Sequence, residues 1–176
     1  NVVQNAISYK KDVDGLTDIN MGSLVHNKKC LVPCTPKGII ELLKYYNIPI
    51  KGKDVTIVGR SNLVGKPLVN LFLNEDATVS ICHSNTSDLS KYTSNCDILV
   101  VAVGKKHLIN KSMVKEGTTI IDVGINRDNG KLCGDVCYDE VNGICNITPV
   151  PGGVGQMTIA MLASNIYEAY NLFKER

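Results

Sequence analysis

Residues 57–67, "IVGRSNLVGKP", join a short apolar run to a helix-like segment. Gly59 allows a tight turn, and Gly65 allows close backbone approach where a helix begins, with free N–H groups and a dipole that favour phosphate. The spacing departs from the Gly-x-Gly-x-x-Gly pattern, because Arg60 and Ser61 follow Gly59 and a hydroxyl stands where a second glycine is usual. As a bare pattern, such a turn serves a ligand-free fold as readily as a nucleotide. The next strand end discriminates. In an NAD site a carboxylate about twenty residues on bonds the ribose hydroxyls. Here "ICHSNT" (81–86) offers Ser84, Thr86 and the imidazole of His83, and the next acid is Asp88. Arg60 adds a planar, permanent cation suited to phosphate. Together these favour NADP over NAD. Gly104, ending "VAVGK", and "DVGIN" (122–126) fall where the ribose and nicotinamide would lie. Taken singly, Arg60 reads as an exposed loop arginine, His83 as a strand-end histidine and Gly104 as a strand terminator.

Metal chemistry is not expected. Cys30 with Cys34, and Cys133 with Cys137, are i,i+4 pairs, but no CxxC occurs and His26, His83 and His107 are isolated. Seven cysteines without a framework of spacings read as reduced, structural thiols in an intracellular compartment. A formal charge of +2 argues for neither nucleic acid nor an anionic membrane, and no apolar run approaches a membrane span. The first residues lack the pattern of a secretory signal.

The elements that must position these residues alternate. Thr35-Pro36 reads as an N-cap and first helical position, with Ile39, Ile40, Leu42, Leu43 and Tyr46 on one face and Asn47 and Pro49 as the stop. Apolar strands are expected at 54–58, 77–82, 97–103, 118–125 and 145–148, and helices at 65–73, 87–95 and 110–115. Asn129-Gly130 signals a hairpin turn. Continuously apolar strands separated by helices predict an α/β, doubly wound, Rossmann-like and mostly parallel sheet. A final helix is expected from Thr158, with Ile159, Leu162, Ile166, Tyr170 and Phe173 on its apolar face.

The segments "PCTPKGIIELL" (33–43), "VGRSNLVGKP" (58–67), "CHSNT" (82–86), "VAVGK" (101–105), "IDVGIN" (121–126), "GDV" (134–136) and "TPVPGGVGQMT" (148–158) occur in the order seen in the methylenetetrahydrofolate dehydrogenase/cyclohydrolase family. "KKDVDGLTDIN" (10–20) also resembles that family, so the resemblance runs from about residue 10 to the end. It implies two domains with a folate cleft between them. Residues 1–35 would be a remnant of the N-terminal catalytic domain, 36–157 the NADP-binding domain, and 158–176 a helix packing on the catalytic domain. It implies NADP-dependent oxidation of methylenetetrahydrofolate to methenyltetrahydrofolate, then hydrolysis to formyltetrahydrofolate. Carried over residue by residue, Gly59 and Gly65 would shape the cofactor loop, and Arg60, Ser61 and Ser84 would hold the phosphates. Gly104 and Ile125 would line the ribose and nicotinamide. Asp14 would bond the pterin, and Pro151, Gly152 and Gly153 would border the folate. Without the resemblance, Asp14-Gly15 reads as a plain Asp-Gly turn.

The resemblance also marks what is not here. The family's catalytic lysine, in Tyr-x-x-x-Lys, and a downstream glutamine belong to a region upstream of Asn1, so no catalytic residue is assigned and the chain alone is expected to be inactive. Tyr170 and Lys174 repeat the spacing on the last helix, where they read as an ordinary helix face. Gln156 stands where the family often has proline. A cytoplasmic homodimer is expected, or an organellar one if a targeting segment has been removed. The competing expectations are a non-catalytic nucleotide-binding or dimerisation module, and a different small-substrate dehydrogenase on the same sheet, against which "TPVPGGVGQMT" argues.

Overall fold

A computed structural model describes residues 2–174. The strands are β1 Asp54–Val58, β2 Thr78–Cys82, β3 Ile98–Val101 and β4 Thr119–Asp122, then β5 Asn126–Asp128 and β6 Lys131–Cys133, and last β7 Asn146–Ile147. Five of them pair in parallel in the order β2-β1-β3-β4-β7, while β5 and β6 form a separate antiparallel hairpin. The helices are α1 Val2–Ala6, α2 Asp18–Val25, α3 Cys34–Tyr45, α4 Gly65–Asn74, α5 Ser90–Thr93, α6 Tyr138–Val141 and α7 Val154–Phe173, with a 3₁₀ turn at Lys111–Met113.

Both faces of the sheet are covered, as the unbroken apolar runs require. Val55, Ile57, Ile98, Val100 and Ile121 pack with α3 and α4 through Ile39, Leu43, Leu68 and Phe72. Val58, Leu99, Val101 and Ile120 pack on the opposite face with Ile109, Val136 and Val141. The alternation of neighbours along β3 between two cores is the period of two that a strand imposes. From β1 the chain crosses to β2 on one side and returns to β3 on the other. That reversal is the switch point where open α/β sheets bind ligands.

Several boundaries differ from the expected ones. Helix α3 begins at Cys34 with Pro33 as its N-cap and no side-chain cap bond. Thr35 is inside the helix, and its Oγ1 lies 2.9 Å from Thr158 Oγ1 on α7, so tertiary contact took the hydroxyl that a cap would have used. The stop is as expected: Asn47 has φ 54°, its N–H bonds Lys44 O at 3.0 Å, and Ile48 N–H bonds Leu43 O at 2.9 Å. This is the paired closure of a helix C-terminus by a left-handed residue. Strand β4 ends at Asp122 rather than 125, because the chain turns there into the β5–β6 hairpin. Asn129 and Gly130 both have positive φ, 48° and 82°, as that hairpin turn requires.

The last helix departs most. It starts at Val154, four residues before the expected Thr158. Its periodic apolar residues point outward: Ile159 is 71% exposed, Ile166 54% and Tyr170 57%. Leu162 is half-buried, and the Phe173 side chain lies outside what is described. The face used against α3 carries Met157, Thr158 and the fully buried Asn165 instead. Gly38 of α3 allows the approach, since a Cβ there would stand 2.9 Å from Met157 Cβ.

Candidate functional site

The carboxyl ends of β2, β1, β3, β4 and β7 form one edge, and the predicted cofactor residues follow the ends of β1, β2, β3 and β4. Gly59 leaves β1 with φ 126°, and a Cβ on it would fall against the Ala102 carbonyl beyond β3. Its N–H donates to Cys82 O at 2.8 Å, which seats it beside the end of β2. A Cβ on Gly65 would overlap the Gly59 carbonyl oxygen. The close approach that Gly65 permits is thus between helix and strand end within the fold.

Ser61 works from inside the loop. Its Oγ accepts from Val64 N at 3.1 Å and Gly65 N at 3.5 Å, so the hydroxyl caps the entry to α4. Ser61 and Arg60 are both exposed. An oxygen occupied as acceptor still has its O–H to donate, which suits an anion above the turn. Across from it, the strand end of β2 folds into a small turn. His83 N–H donates to Thr86 Oγ1 at 2.9 Å, and Asn85 N–H donates to His83 Nδ1 at 3.2 Å. Thr86 Oγ1 and His83 Nδ1 thus accept within the turn, and Ser84 is exposed beside them. Asp88, the nearest acid in sequence, accepts from Lys91 N at 3.3 Å at the start of α5. Arginine and serine without a competing carboxylate are a donor set for phosphate.

Gly104 has φ 67° and an exposed surface, and Ile125 is 67% exposed. Both hang on one carboxylate that the sequence reading passed over. Asp135, fully buried, accepts from Val103 N at 2.8 Å and Gly104 N at 3.0 Å through Oδ2, and from Asn126 Nδ2 at 2.9 Å through Oδ1. Behind it, Asp122 accepts from Gly124 N at 3.1 Å and from Asp135 N and Val136 N, both at 2.9 Å. Burial pushes the Asp122 carboxyl up, the Asp135 and Val136 amides pull it down, and the Asp135 charge pushes it up again, leaving a net rise. The signal was present in "IDVGIN" and "GDV": Asp122 ends an apolar strand two residues before Gly124, and Asp135 directly follows Gly134.

The predicted folate residues lie around α3 and α7. Asp14 is exposed, in a loop that Asp12 builds: the buried Asp12 carboxylate accepts from Leu16 N at 3.1 Å, Thr17 N at 2.7 Å and Asn20 Nδ2 at 2.9 Å. Burial would raise this carboxyl, but those hydrogen bonds together hold it below its ordinary value. Gly15, φ 67°, lets the loop lie on the 31–33 backbone, where a Cβ would stand 2.6 Å from Leu31 O. Cys34 Sγ lies 3.7 Å from Asp14 Oδ1, and burial first, then the Asp14 charge, push its thiol up to about 11. Asn165 of α7 ties the loop down, donating to Val13 O at 2.7 Å and Val32 O at 2.8 Å while accepting from Lys37 Nζ at 2.9 Å. Lys37 also pairs with Glu168. Neither Asn165 nor Lys37 stood out in the sequence, since a lone Asn or Lys in a helix is usually surface. Pro151 and Gly152 are exposed in the turn after β7, and Gly153 sits so that a Cβ would meet Pro149 O at 2.5 Å.

A groove of about 1030 Å³ opens between the end of α3, the β7 edge and the first turns of α7. Of the predicted residues Gly152 and Gly153 line it, and none of the 59–65 loop does. Volume therefore does not mark the cofactor loop. Among the described residues no cluster of His, Cys, Asp or Glu could hold a metal, and no helix is long and apolar enough to cross a membrane. Tyr170 and Lys174 do share a face, with the ammonium 5.0 Å from the ring centroid.

Residues 33–174 match the family described as tetrahydrofolate dehydrogenase/cyclohydrolase, NAD(P)-binding domain. Among curated proteins, the bifunctional protein FolD of Clostridium novyi is 54% identical over 167 residues, which are 94% of this chain and 60% of that protein. Among solved structures, the bifunctional enzyme FolD, methylenetetrahydrofolate dehydrogenase/cyclohydrolase, of Campylobacter jejuni superposes with a TM-score of 0.95 at 48% identity, covering 97% of this chain and 61% of that one. The Trypanosoma brucei methylenetetrahydrofolate dehydrogenase-cyclohydrolase, complexed with NADP cofactor and inhibitor, superposes with a TM-score of 0.93 at 36% identity, covering 99% and 63%. The chain thus spans about three fifths of the length of the relatives it matches.

Proposed function

The chain belongs to the tetrahydrofolate dehydrogenase/cyclohydrolase family, and from that premise we propose that it supplies the NADP domain and one wall of the folate cleft of a bifunctional enzyme. That enzyme oxidises methylenetetrahydrofolate to methenyltetrahydrofolate and hydrolyses the product to formyltetrahydrofolate. The carrying observation is that Arg60 and Ser84, both exposed, follow the adjacent parallel strands β1 and β2, while Asp88, the next acid in sequence, is engaged by Lys91 N at the start of α5. Arg60 holds the 2′-phosphate through its planar fork, and the Ser61 hydroxyl donates to the bridging phosphates while its oxygen caps α4. Gly104 and Ile125 border the nicotinamide half. When bound, NADP supplies the hydride acceptor. Asp14 accepts from the donors of the aminopterin edge, and the Pro151–Gly153 turn lets flat rings lie close to backbone.

The exposed apolar residues of α7 suit a surface on which a catalytic domain would sit, and we assign residues 1–35 and 158–176 to that domain's side and 36–157 to the cofactor domain. Turnover needs a positioned acid or base, and none of the residues assigned above takes that role, so cofactor binding without appreciable catalysis is the expected behaviour of this chain alone. Seven unpaired thiols suit a reducing cytoplasm, and a homodimer is the assembly to look for by sedimentation. Calorimetric titration with NADP and NAD is the test. NADP should bind at least about ten-fold tighter, with the preference lost in Arg60→Ala. Equal affinity for both, or an undiminished preference in the variant, refutes the assignment of Arg60.

A further inference from the structure

Two buried carboxylates interlock beneath the part of the site assigned to nicotinamide. Asp122 closes β4 and takes the amides of Gly124, Asp135 and Val136. Asp135 reaches back the other way, to the amides of Val103 and Gly104 beyond β3 and to the side chain of Asn126. The fit is mutual. A Cβ on Gly124 would overlap the Asp135 carboxyl, and a Cβ on Gly134 would overlap that of Asp122. Each glycine is thus the space into which the opposite carboxylate folds. No cation neutralises the pair through any of these bonds; backbone and amide N–H groups satisfy it, which is how a buried acceptor is made tolerable.

The consequence falls on residues 104 and 125. With its N–H donated to Asp135, Gly104 presents only its carbonyl and its left-handed backbone to the surface. Ile125 precedes Asn126, whose amide is held on the other carboxylate oxygen at 2.9 Å. The same Asn126 amide donates to Gly134 O at 3.2 Å, so the Asp135 side chain, backed by the residue before it, ties the two walls together. We propose that Asp135 is a positioning residue that fixes Gly104 and Ile125 as the two sides of a slot for the nicotinamide riboside half of the cofactor. This rests on the cofactor reading above and goes beyond it by naming the group that builds the slot.

The test separates the two halves of NADP. Adenosine 2′,5′-bisphosphate carries the 2′-phosphate and adenosine but no nicotinamide riboside. In Asp135→Asn, an amide must either turn its NH₂ toward the Val103 and Gly104 donors or toward the Asn126 donor, so one wall is released. NADP affinity should fall by about ten-fold, while that for the bisphosphate stays within about two-fold, and the Val103 and Gly104 amides should exchange hydrogen faster. Asn126→Ala keeps the carboxylate and releases only the Ile125 side, and should weaken NADP by about three-fold with the same selectivity. Equal loss of both ligands, or unchanged NADP affinity in both variants, would overturn the proposal. A native chain that binds neither ligand would instead overturn the cofactor assignment on which it stands.

Discussion

At the scale of single residues, the chain spends carboxylates on backbone amides more than on cations. Asp12, Asp122 and Asp135 each accept several N–H bonds, and each anchors a loop carrying a predicted ligand residue. Asp12 allows a signed expectation. Burial would raise its carboxyl, but the bonds from Thr17, Asn20 and Leu16 leave it below the ordinary 3.8. A carboxyl depressed by folding contributes stability that is fully present above the unfolded value and is lost as pH falls through the folded one. Asp12→Asn should thus cost ~2 kcal/mol in urea unfolding near neutral pH, and the gap to the native chain should narrow in the window below pH 3.8. A gap that stays constant down to that acid range would deny Asp12 its ionised role.

At the scale of elements, α7 reverses the expectation that the apolar face is the buried one. Adjacent residues make the comparison. Asn165 is fully buried and bonds Val13, Val32 and Lys37, whereas Ile166 is 54% exposed. Removing Asn165 leaves Val13 O only the weak Cys34 thiol at 3.6 Å, takes the side-chain donor from Val32 O and deprives a half-buried ammonium of one partner, and buried unpaired groups cost more than a lost surface methyl. Asn165→Ala should lower stability by ~3 kcal/mol and Ile166→Ser by less than ~0.5 kcal/mol in this chain, read from denaturant midpoints. The opposite order would mean that the helix docks through its periodic face.

At the scale of the whole molecule, the outward apolar residues of α7 share the surface with Val2, Val3 and Ile7, all exposed. Exposed apolar residues grouped on one helix favour association. Sedimentation of the isolated chain should show mass increasing with concentration, and the combined variant Ile159→Lys, Tyr167→Lys should reduce that increase without lowering the melting temperature. If the double lysine variant sediments as the native chain does, that face is not the adhesive one.

How much of this was legible depended on the range of the interaction. The parallel sheet, the helix stop at Asn47, the Asn129-Gly130 hairpin turn and the 59–65 loop are set by short-range sterics and by apolar periodicity, so residues 39–131 announced most of their elements. Strand ends were overdrawn where apolar residues continue past the last ladder bond, as at 123–125, because only the hairpin decides where pairing stops. The face of α7, the placement of Thr35 and the crossed pair Asp122–Asp135 were decided by tertiary structure alone. In each, a polar group chose a partner distant in sequence, 123 residues away for Thr35 and Thr158, and no local pattern records such a choice. What the sequence determined by itself was the order of strands and helices and the residue types at the cofactor edge. Which of those residues are held, and by what, followed only from packing, because satisfying a buried donor or acceptor depends on where the whole chain has gone.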